Sequence, residues 1–435
     1  MIALAPGSAQ AERSLARRDT LLPGLPWLLD STRLSELLGE TVRVTRVRYK
    51  PGTSLLVAYR RLRNGNFEYG WATTRTPSGA GKLLERERTS RTRGGDMRIL
   101  RPDPGDPDTV VAVGGVEDDW ALQKNLTWLR SHGAGRLGLH TKPGSGVLAG
   151  SSVLRYKPER RLVLFAYNAS SAVVIKTAAK PAGHGQQPHF LDRLRRHGVP
   201  LLPQLADAEC LSHGVSASTA WGAGDLAAHE NAGSRTAYAA GQALAALHCA
   251  PAGSGVAGPV RHPAAGGWRE DHAAQLKATR GMVSLLVPDL ERLARHLETR
   301  LAALLLDQPR TAPVLVHGDF SPDQVLMAGS EVRLIDFDRA GMGLAEADLG
   351  SFAAAEEAAL PVPDGVADGA PAGGPKTAQL AEGYLDAGGR FSQAAVDAWA
   401  ACRLFNSSVD PFRDRSQGWA ADMTWQLSRA KELIS

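Results

Sequence analysis

The chain repeats itself, and this echo limits its possible folds more than any other feature. Residues 48–59 read Arg-Tyr-Lys-Pro-Gly-Thr-Ser-Leu-Leu-Val-Ala-Tyr, and residues 155–167 read Arg-Tyr-Lys-Pro-Glu-Arg-Arg-Leu-Val-Leu-Phe-Ala-Tyr. Each places a Lys-Pro turn between two apolar, β-rich runs, which is the pattern of a hairpin. The first copy continues to Trp-Ala-Thr-Thr-Arg-Thr-Pro at 71–77, and the second to Ile-Lys-Thr-Ala-Ala-Lys-Pro at 175–181. Both then enter a helical segment, 82–89 in one and 190–197 in the other. Two further strand candidates follow in each, 97–100 with 110–113, and 201–205 with 215–221. The order strand, strand, strand, helix, strand, strand thus occurs twice, and it predicts a duplicated small α/β lobe.

With 435 residues the chain exceeds one ordinary hydrophobic core. Residues 117–145 read as a helical connector between the copies, and from 223 onward the pattern is mostly helical. Leu290, Leu293, Leu297, Leu301 and Leu304 recur at spacings of three and four, with Pro288 just ahead of them. Residues 358–375 are rich in Ala, Pro and Gly and read as a flexible insertion. The expected division is an accessory lobe at 1–116, the connector at 117–145, a second lobe at 146–222 and a helical region at 223–435.

Several function classes are disfavoured by composition. No run of about 18 uninterrupted apolar residues is present, so no membrane span is expected. Only Met1-Ile2-Ala3-Leu4-Ala5 precedes Pro6, too short for a signal sequence, and a cytoplasmic location is expected. The three cysteines, Cys210, Cys249 and Cys402, lie far apart without metal-type spacing and read as buried thiols. Net charge is +5, with Arg86, Arg88, Arg91, Arg93, Arg98 and Arg101 clustered. That cluster reads as a solvated face or as a surface for an acidic partner; no motif supports nucleic-acid binding.

The chemistry is concentrated in one stretch. Val314-Leu315-Val316 leads into His317-Gly318-Asp319-Phe320-Ser321-Pro322-Asp323-Gln324. Residues 325–327 and 332–335 flank Ala328-Gly329-Ser330-Glu331 and read as a hairpin that returns Asp336 towards Gln324 and Asp319. Phosphoryl transfer needs a carboxylate to orient or deprotonate the attacking hydroxyl, and oxygen ligands to hold Mg2+ against nucleotide phosphates. The residues therefore suggest Asp319 as base, with Gln324 and Asp336 on the metal. His317 is expected to pack and hydrogen-bond so as to hold the loop's shape.

This pattern resembles the aminoglycoside phosphotransferase family, small-molecule relatives of the protein kinases. The resemblance rests on Leu-Ala-Ala-Leu-His at 244–248, the 317–324 loop, Ile335-Asp336-Phe337-Asp338 and Asp348-Leu349-Gly350. It implies an α+β, protein-kinase-like bilobal fold, with the first 116 residues as an additional N-terminal domain resembling a duplicated kinase N-lobe. It also implies ATP or GTP and Mg2+ as cofactors, Asp319 as the catalytic Asp and Asp336 as the metal-binding Asp. Asp348 would brace the catalytic loop. Lys176 matches the third-strand lysine that contacts nucleotide phosphates, while the first copy aligns Ala72 there and is expected to bind no nucleotide.

Three departures from the family pattern stand out. Gln324 replaces the usual Asn, a substitution similar to that of actinobacterial maltokinases, which also carry an extra N-terminal domain. The second hairpin turn has no glycine-rich phosphate loop. The helix after Lys176 offers Asp192 where a Glu is usual. The leading expectation is a kinase acting on a small-molecule hydroxyl of an aminoglycoside, another antibiotic or metabolite, or a sugar. Glu346, Glu356 and Glu357 are candidates to contact that acceptor, or else surface acids. A second reading resembles the kinase-like proteins of lanthipeptide-type maturation, phosphorylating peptide Ser or Thr. A third is a pseudokinase that binds a peptide or protein without turnover.

Overall fold

A computed structural model describes the chain except for residues 1–3, 64, 104, 107, 140–147, 149, 182, 184–186, 230–233, 252–266, 307–311 and 360–370. The end of the expected connector and most of the expected insertion lie outside the described residues. Two compact units result, one formed by Met1–Ala182, Leu205–Ala220 and Asp410–Ala420, the other by Gly183–Gln204, Trp221–Val409 and Ala421–Ser435.

The first unit holds two antiparallel sheets. Strands β1 (Arg43–Lys50), β2 (Ser54–Arg63), β3 (Asn66–Arg75), β4 (Arg98–Leu100) and β5 (Val111–Gly115) are ordered β1-β2-β3-β5-β4. Strands β6 (Ser152–Lys157), β7 (Arg161–Tyr167), β8 (Ala172–Ala178) and β9 (Val215–Thr219) follow in that order across the second sheet. Alternation explains why these segments are strands: in β8, Val173, Ile175 and Thr177 are buried while Val174 and Lys176 are half-buried.

The two sheets share one register. Tyr49 faces Leu55 as Tyr156 faces Leu162, and those leucines face Thr74 and Thr177 in turn. One step along, Leu56 faces Thr73 and Val163 faces Lys176. Thr73, rather than Ala72, is therefore the counterpart of Lys176. A one-residue slip would put the side chain on the opposite face of the sheet, so the sequence alignment had the wrong neighbour although the first copy still lacks the lysine.

The duplication extends to single atoms. Tyr49 Oη donates to Asp19 Oδ2 at 2.6 Å, and the Gly52 amide donates to the same oxygen at 2.9 Å. Tyr156 Oη donates to Asp119 Oδ2 at 2.9 Å, and the Glu159 amide does so at 2.7 Å. Both turn residues are left-handed, with φ of +58° at Gly52 and +59° at Glu159. That geometry suits glycine and is strained for glutamate. Burial raises the Asp119 carboxyl and drives the Tyr156 phenol well up.

The copies differ in one element. The strand expected at 201–205 is absent; Leu201 instead forms a lone parallel bridge with Leu334 in the second unit, where the Leu334 amide donates to Pro200 O at 2.8 Å. The preceding helix, Pro188–Arg196, explains the departure, because Phe190, Leu191 and Leu194 share the second unit's core. The connector is helical over residues 123–136, and Asn125 Nδ2 donates to Ala178 O at 2.7 Å. A return of the C-terminal region also completes this unit: Arg415 pairs with Glu12 and donates to Leu29 O at 2.7 Å, and Trp419 Nε1 donates to Glu12 at 3.2 Å. Burial raises the Glu12 carboxyl despite that arginine.

In the second unit, short strands sit among helices. Strands β10 (Gly224–Asp225), β12 (Val325–Ala328) and β13 (Glu331–Leu334) form one sheet, and β11 (Val314–Val316) pairs with β14 (Gly341–Gly343). The helix expected from the leucine stripe is Glu291–Leu306, with Leu290 in the turn before it; its buried face is Ala294, Leu297, Leu301 and Leu305, while Leu293 and Leu304 are half-buried. Helices Ser234–Cys249 and Pro375–Asp386 approach closely, since a Cβ on Gly241 would lie 2.0 Å from Leu380 O. The expected insertion is ordered at both described ends, with 358 and 359 inside the helix Ala345–Ala359 and Pro375 opening the next helix. Burial pushes the Cys210 thiol up to about 11 and that of Cys402 up to about 12, whereas Cys249 is exposed, contrary to expectation. Among the described residues no helix is long and apolar enough to cross a membrane.

Candidate active site

The loop from His317 to Gln324 is shaped by an aspartate from another element. Asp348, 1% exposed near the start of the helix Ala345–Ala359, accepts the His317 amide at 2.6 Å and the Gly318 amide at 2.9 Å. A carboxylate with two amide donors fixes a loop at both oxygens, and charged hydrogen bonds are the strong ones. His248 Nε2 lies 3.2 Å from the same carboxylate, and its Nδ1 bonds to Tyr384 Oη at 2.8 Å. The brace that the family resemblance implied for Asp348 is thus present, extended by a buried His–Tyr pair.

His317 is fully buried between Phe320 and Phe337, and its Nε2 donates to Ile335 O at 2.8 Å. That bond ties the Asp319 loop to the residue before Asp336. Gly318 is required at its place, because φ is +79° and a Cβ would lie 2.3 Å from Arg339 O.

The hairpin forms as expected. Val325 faces Leu334, and the Ile335 amide donates to Gln324 O at 3.1 Å, which sets Gln324 beside the chain leading to Asp336. Asp336 is itself left-handed, with φ of +65° and ψ of +55°. A non-glycine residue held there is uncommon, and such strain gathers at functional sites. Gln324 Nε2 donates to Asp323 Oδ2 at 3.2 Å, while Asp323 Oδ1 accepts from Ser321 Oγ at 2.5 Å. With its NH2 group committed to Asp323, the Gln324 carbonyl oxygen is the end left for a cation. Gln324 and Asp336 thus offer hard oxygen donors of the kind Mg2+ takes; among the described residues no group of three His, Cys, Asp or Glu forms a metal cluster.

Asp319 has company that the sequence did not announce. Arg403 Nη2, from the helix Gln393–Ser407, lies 2.9 Å from Asp319 Oδ1, and Arg339 Nη1 lies 3.6 Å from the same atom. Oδ1 is buried yet receives no directed hydrogen bond, so these are charge contacts. The side chain as a whole is 33% exposed, which puts its accessible part away from Oδ1. Arg403 sits far downstream in the otherwise apolar Ala-Ala-Cys-Arg-Leu-Phe, and a lone charge in a buried stretch was the available signal.

The three glutamates considered for the acceptor are buried and engaged, which corrects both readings of them. Glu356 accepts the amides of Gly374, Lys376 and Thr377, Glu357 pairs with Arg429 at 3.0 Å, and Glu346 accepts the Ser392 amide at 3.3 Å. Lys176 lies in the first unit, half-buried on β8 between Val163 and Ser216 of the adjoining strands. Asp192 lies in the second unit and pairs with Arg195 on its own helix. Three arginines of the cluster are locally engaged: Arg86 stacks 3.5 Å over the Trp120 ring, Arg91 pairs with Glu87, and Arg93 donates to Gln123.

Residues 152–405 match the model of the phosphotransferase enzyme family. An amicoumacin kinase solved with AMP-PNP and Ca2+ is 14% identical with a TM-score of 0.51, covering 69% of this chain and 91% of that one. A spectinomycin phosphotransferase is 14% identical at TM-score 0.45, covering 65% and 92%, and a choline/ethanolamine kinase family protein from Mesorhizobium loti is 18% identical at 0.43, covering 70% and 94%. No curated protein sequence matches. At such identities the likeness is one of fold, and the amicoumacin kinase carries it. The family match spans more than half of the 435 residues, and the fold class is α+β of the protein-kinase-like type. The chain belongs to the phosphotransferase enzyme family.

Proposed function

We propose that the protein transfers the terminal phosphoryl group of ATP or GTP to a hydroxyl of a small molecule, with Asp319 as base. One observation carries this reading: a single buried carboxylate, Asp348, fixes the Asp319 loop through two backbone amides, and His317 ties that loop to the strained Asp336. Such pre-positioning is the protein's main contribution to phosphoryl transfer, whose transition state asks for little covalent help. The acceptor oxygen forms a bond to the γ-phosphorus as the bond to the bridging oxygen breaks and the nucleoside diphosphate leaves. The hydroxyl proton passes to the open side of Asp319. Gln324 and Asp336 would hold Mg2+, whose chemistry is to neutralise charge on the phosphates. Lys176, on β8, would serve as a lysine for nucleotide phosphates.

The domain division proposed from the sequence accompanies this reading. Residues 1–116 would be a non-catalytic accessory lobe, since Thr73 occupies the place of Lys176. A cytoplasmic setting suits a nucleotide donor. The test is Mg2+-dependent binding and hydrolysis of ATP and GTP by the native chain and by Asp319→Ala. Binding by both proteins with hydrolysis by the native chain alone is expected, with a fall of at least about a hundredfold for loss of a general base. Failure of the native chain to bind either nucleotide ends the proposal, and binding without any turnover favours the pseudokinase reading.

A further inference from the structure

Building on the phosphotransferase reading, we propose that the acceptor is an anionic alcohol, carrying a carboxylate or phosphate ester that Arg403 and Arg339 bind beside the reacting hydroxyl. Both guanidiniums crowd one oxygen of Asp319, at 2.9 and 3.6 Å. The Asp319 carboxylate matches only one of the two guanidinium charges. Among the described residues, Asp319 is the one ion-pair partner of either arginine, and Oδ1 receives no directed hydrogen bond.

A guanidinium has five N–H donors in a planar fork that matches carboxylate and phosphate oxygens two at a time. Two such forks with their donors uncommitted are poorly explained as a brace for Asp319, because a brace would use directed bonds, as Asp348 shows nearby. Their side chains are 34% exposed at Arg403 and 64% at Arg339, so a solute can reach them. Anything touching them also lies within a few ångströms of the oxygen that takes the acceptor's proton.

Among the described residues, the three glutamates considered for a cationic acceptor, Glu346, Glu356 and Glu357, are buried and bound within the fold. An ammonium group placed beside the two arginines would meet like charge, which discriminates strongly against the wrong ligand. The class that this charge favours is a hydroxy acid or a phosphorylated alcohol.

Three sugars of one ring shape test the idea: glucuronate, glucose and glucosamine, carrying a negative, zero and positive charge at pH 6.5. Phosphoryl transfer to each, and competition by each against nucleotide hydrolysis, are measured with Mg2+ and the preferred nucleotide. Glucuronate should act at a concentration at least about tenfold below glucosamine, with glucose between them, as expected where like charges repel. Arg403→Gln and the more exposed Arg339→Gln should each raise the concentration needed for glucuronate and compress the order, with unchanged thermal midpoints confirming the fold. An equal or inverted order, or no effect of any sugar, overturns the proposal. So does a fall in kcat alone for all three, which would assign the arginines to the transferring phosphate. Absence of hydrolysis by the native chain would instead remove the phosphotransferase reading itself.

Discussion

Asp348 shows how much one side chain can decide. Its two oxygens take the amides of His317 and Gly318, and the group is almost wholly buried. Asparagine in its place would turn an NH2 group towards one of those amides and leave a buried donor unpaired. Asp348→Asn is expected to cost about 2–3 kcal/mol in urea unfolding, the scale of a lost charged hydrogen bond. Phosphoryl transfer should fall further, because Asp319 would lose its position. Lys157 makes a different kind of prediction. Burial, followed by Arg155 and Arg46, lowers its pKa from 10.5 to about 7. Above pH 7 the folded state sheds this proton while the unfolded chain keeps it until about 10.5, so stability rises with pH across that window. Lys157→Met should lack that rise, which urea midpoints of both proteins at pH 7 and pH 9 would reveal. An identical pH response in the two proteins would show that Lys157 stays charged when folded.

At the scale of elements, the two hairpins of the repeat are each latched by an aspartate. Asp119 takes the Tyr156 hydroxyl and the Glu159 amide, as Asp19 takes the Tyr49 hydroxyl and the Gly52 amide. The second latch also holds Glu159 in a conformation that glycine adopts freely in the first. Asp119→Ala should therefore destabilise by at least about 2–4 kcal/mol, because it unpairs the Tyr156 hydroxyl and the Glu159 and Ala121 amides at about 1–3 kcal/mol each, partly relaxed. Adding Glu159→Gly should recover part of that loss by relieving the backbone. Unfolding of both variants followed by circular dichroism would check the pair; no recovery would mean the turn carries no strain. The hairpins themselves were legible because β-alternation is local. Their aspartates were not, since neither Asp19 nor Asp119 belongs to the repeated Arg-Tyr-Lys-Pro stretch.

Across the whole molecule, the first unit depends on residues from the far end of the chain. Arg415 is 7% exposed and Glu12 is 9% exposed, and the pair is joined by Trp419. Removing one partner of a buried ion pair strands the other charge, at a cost of about 3–5 kcal/mol. Arg415→Ala should reach that range and should weaken the first unit, seen as faster amide exchange in β1 and in the helix Pro6–Arg18. Exchange unchanged in those elements would show that the first lobe stands without the C-terminal return. The expected division assigned everything after 223 to one helical region, and this return was invisible because an ion pair between distant residues leaves no periodic trace.

The amino-acid sequence by itself determined the duplicated hairpins, the helical second half, the family and the loop from His317 to Asp336, because each is written in local alternation, turn residues or short spacing. Tertiary structure alone decided that Thr73 rather than Ala72 answers Lys176, that residues 201–205 form no strand, and that two arginines crowd Asp319. Register depends on which strand pairs with which, and the charge around the Asp319 carboxylate depends on a helix that meets it only after folding.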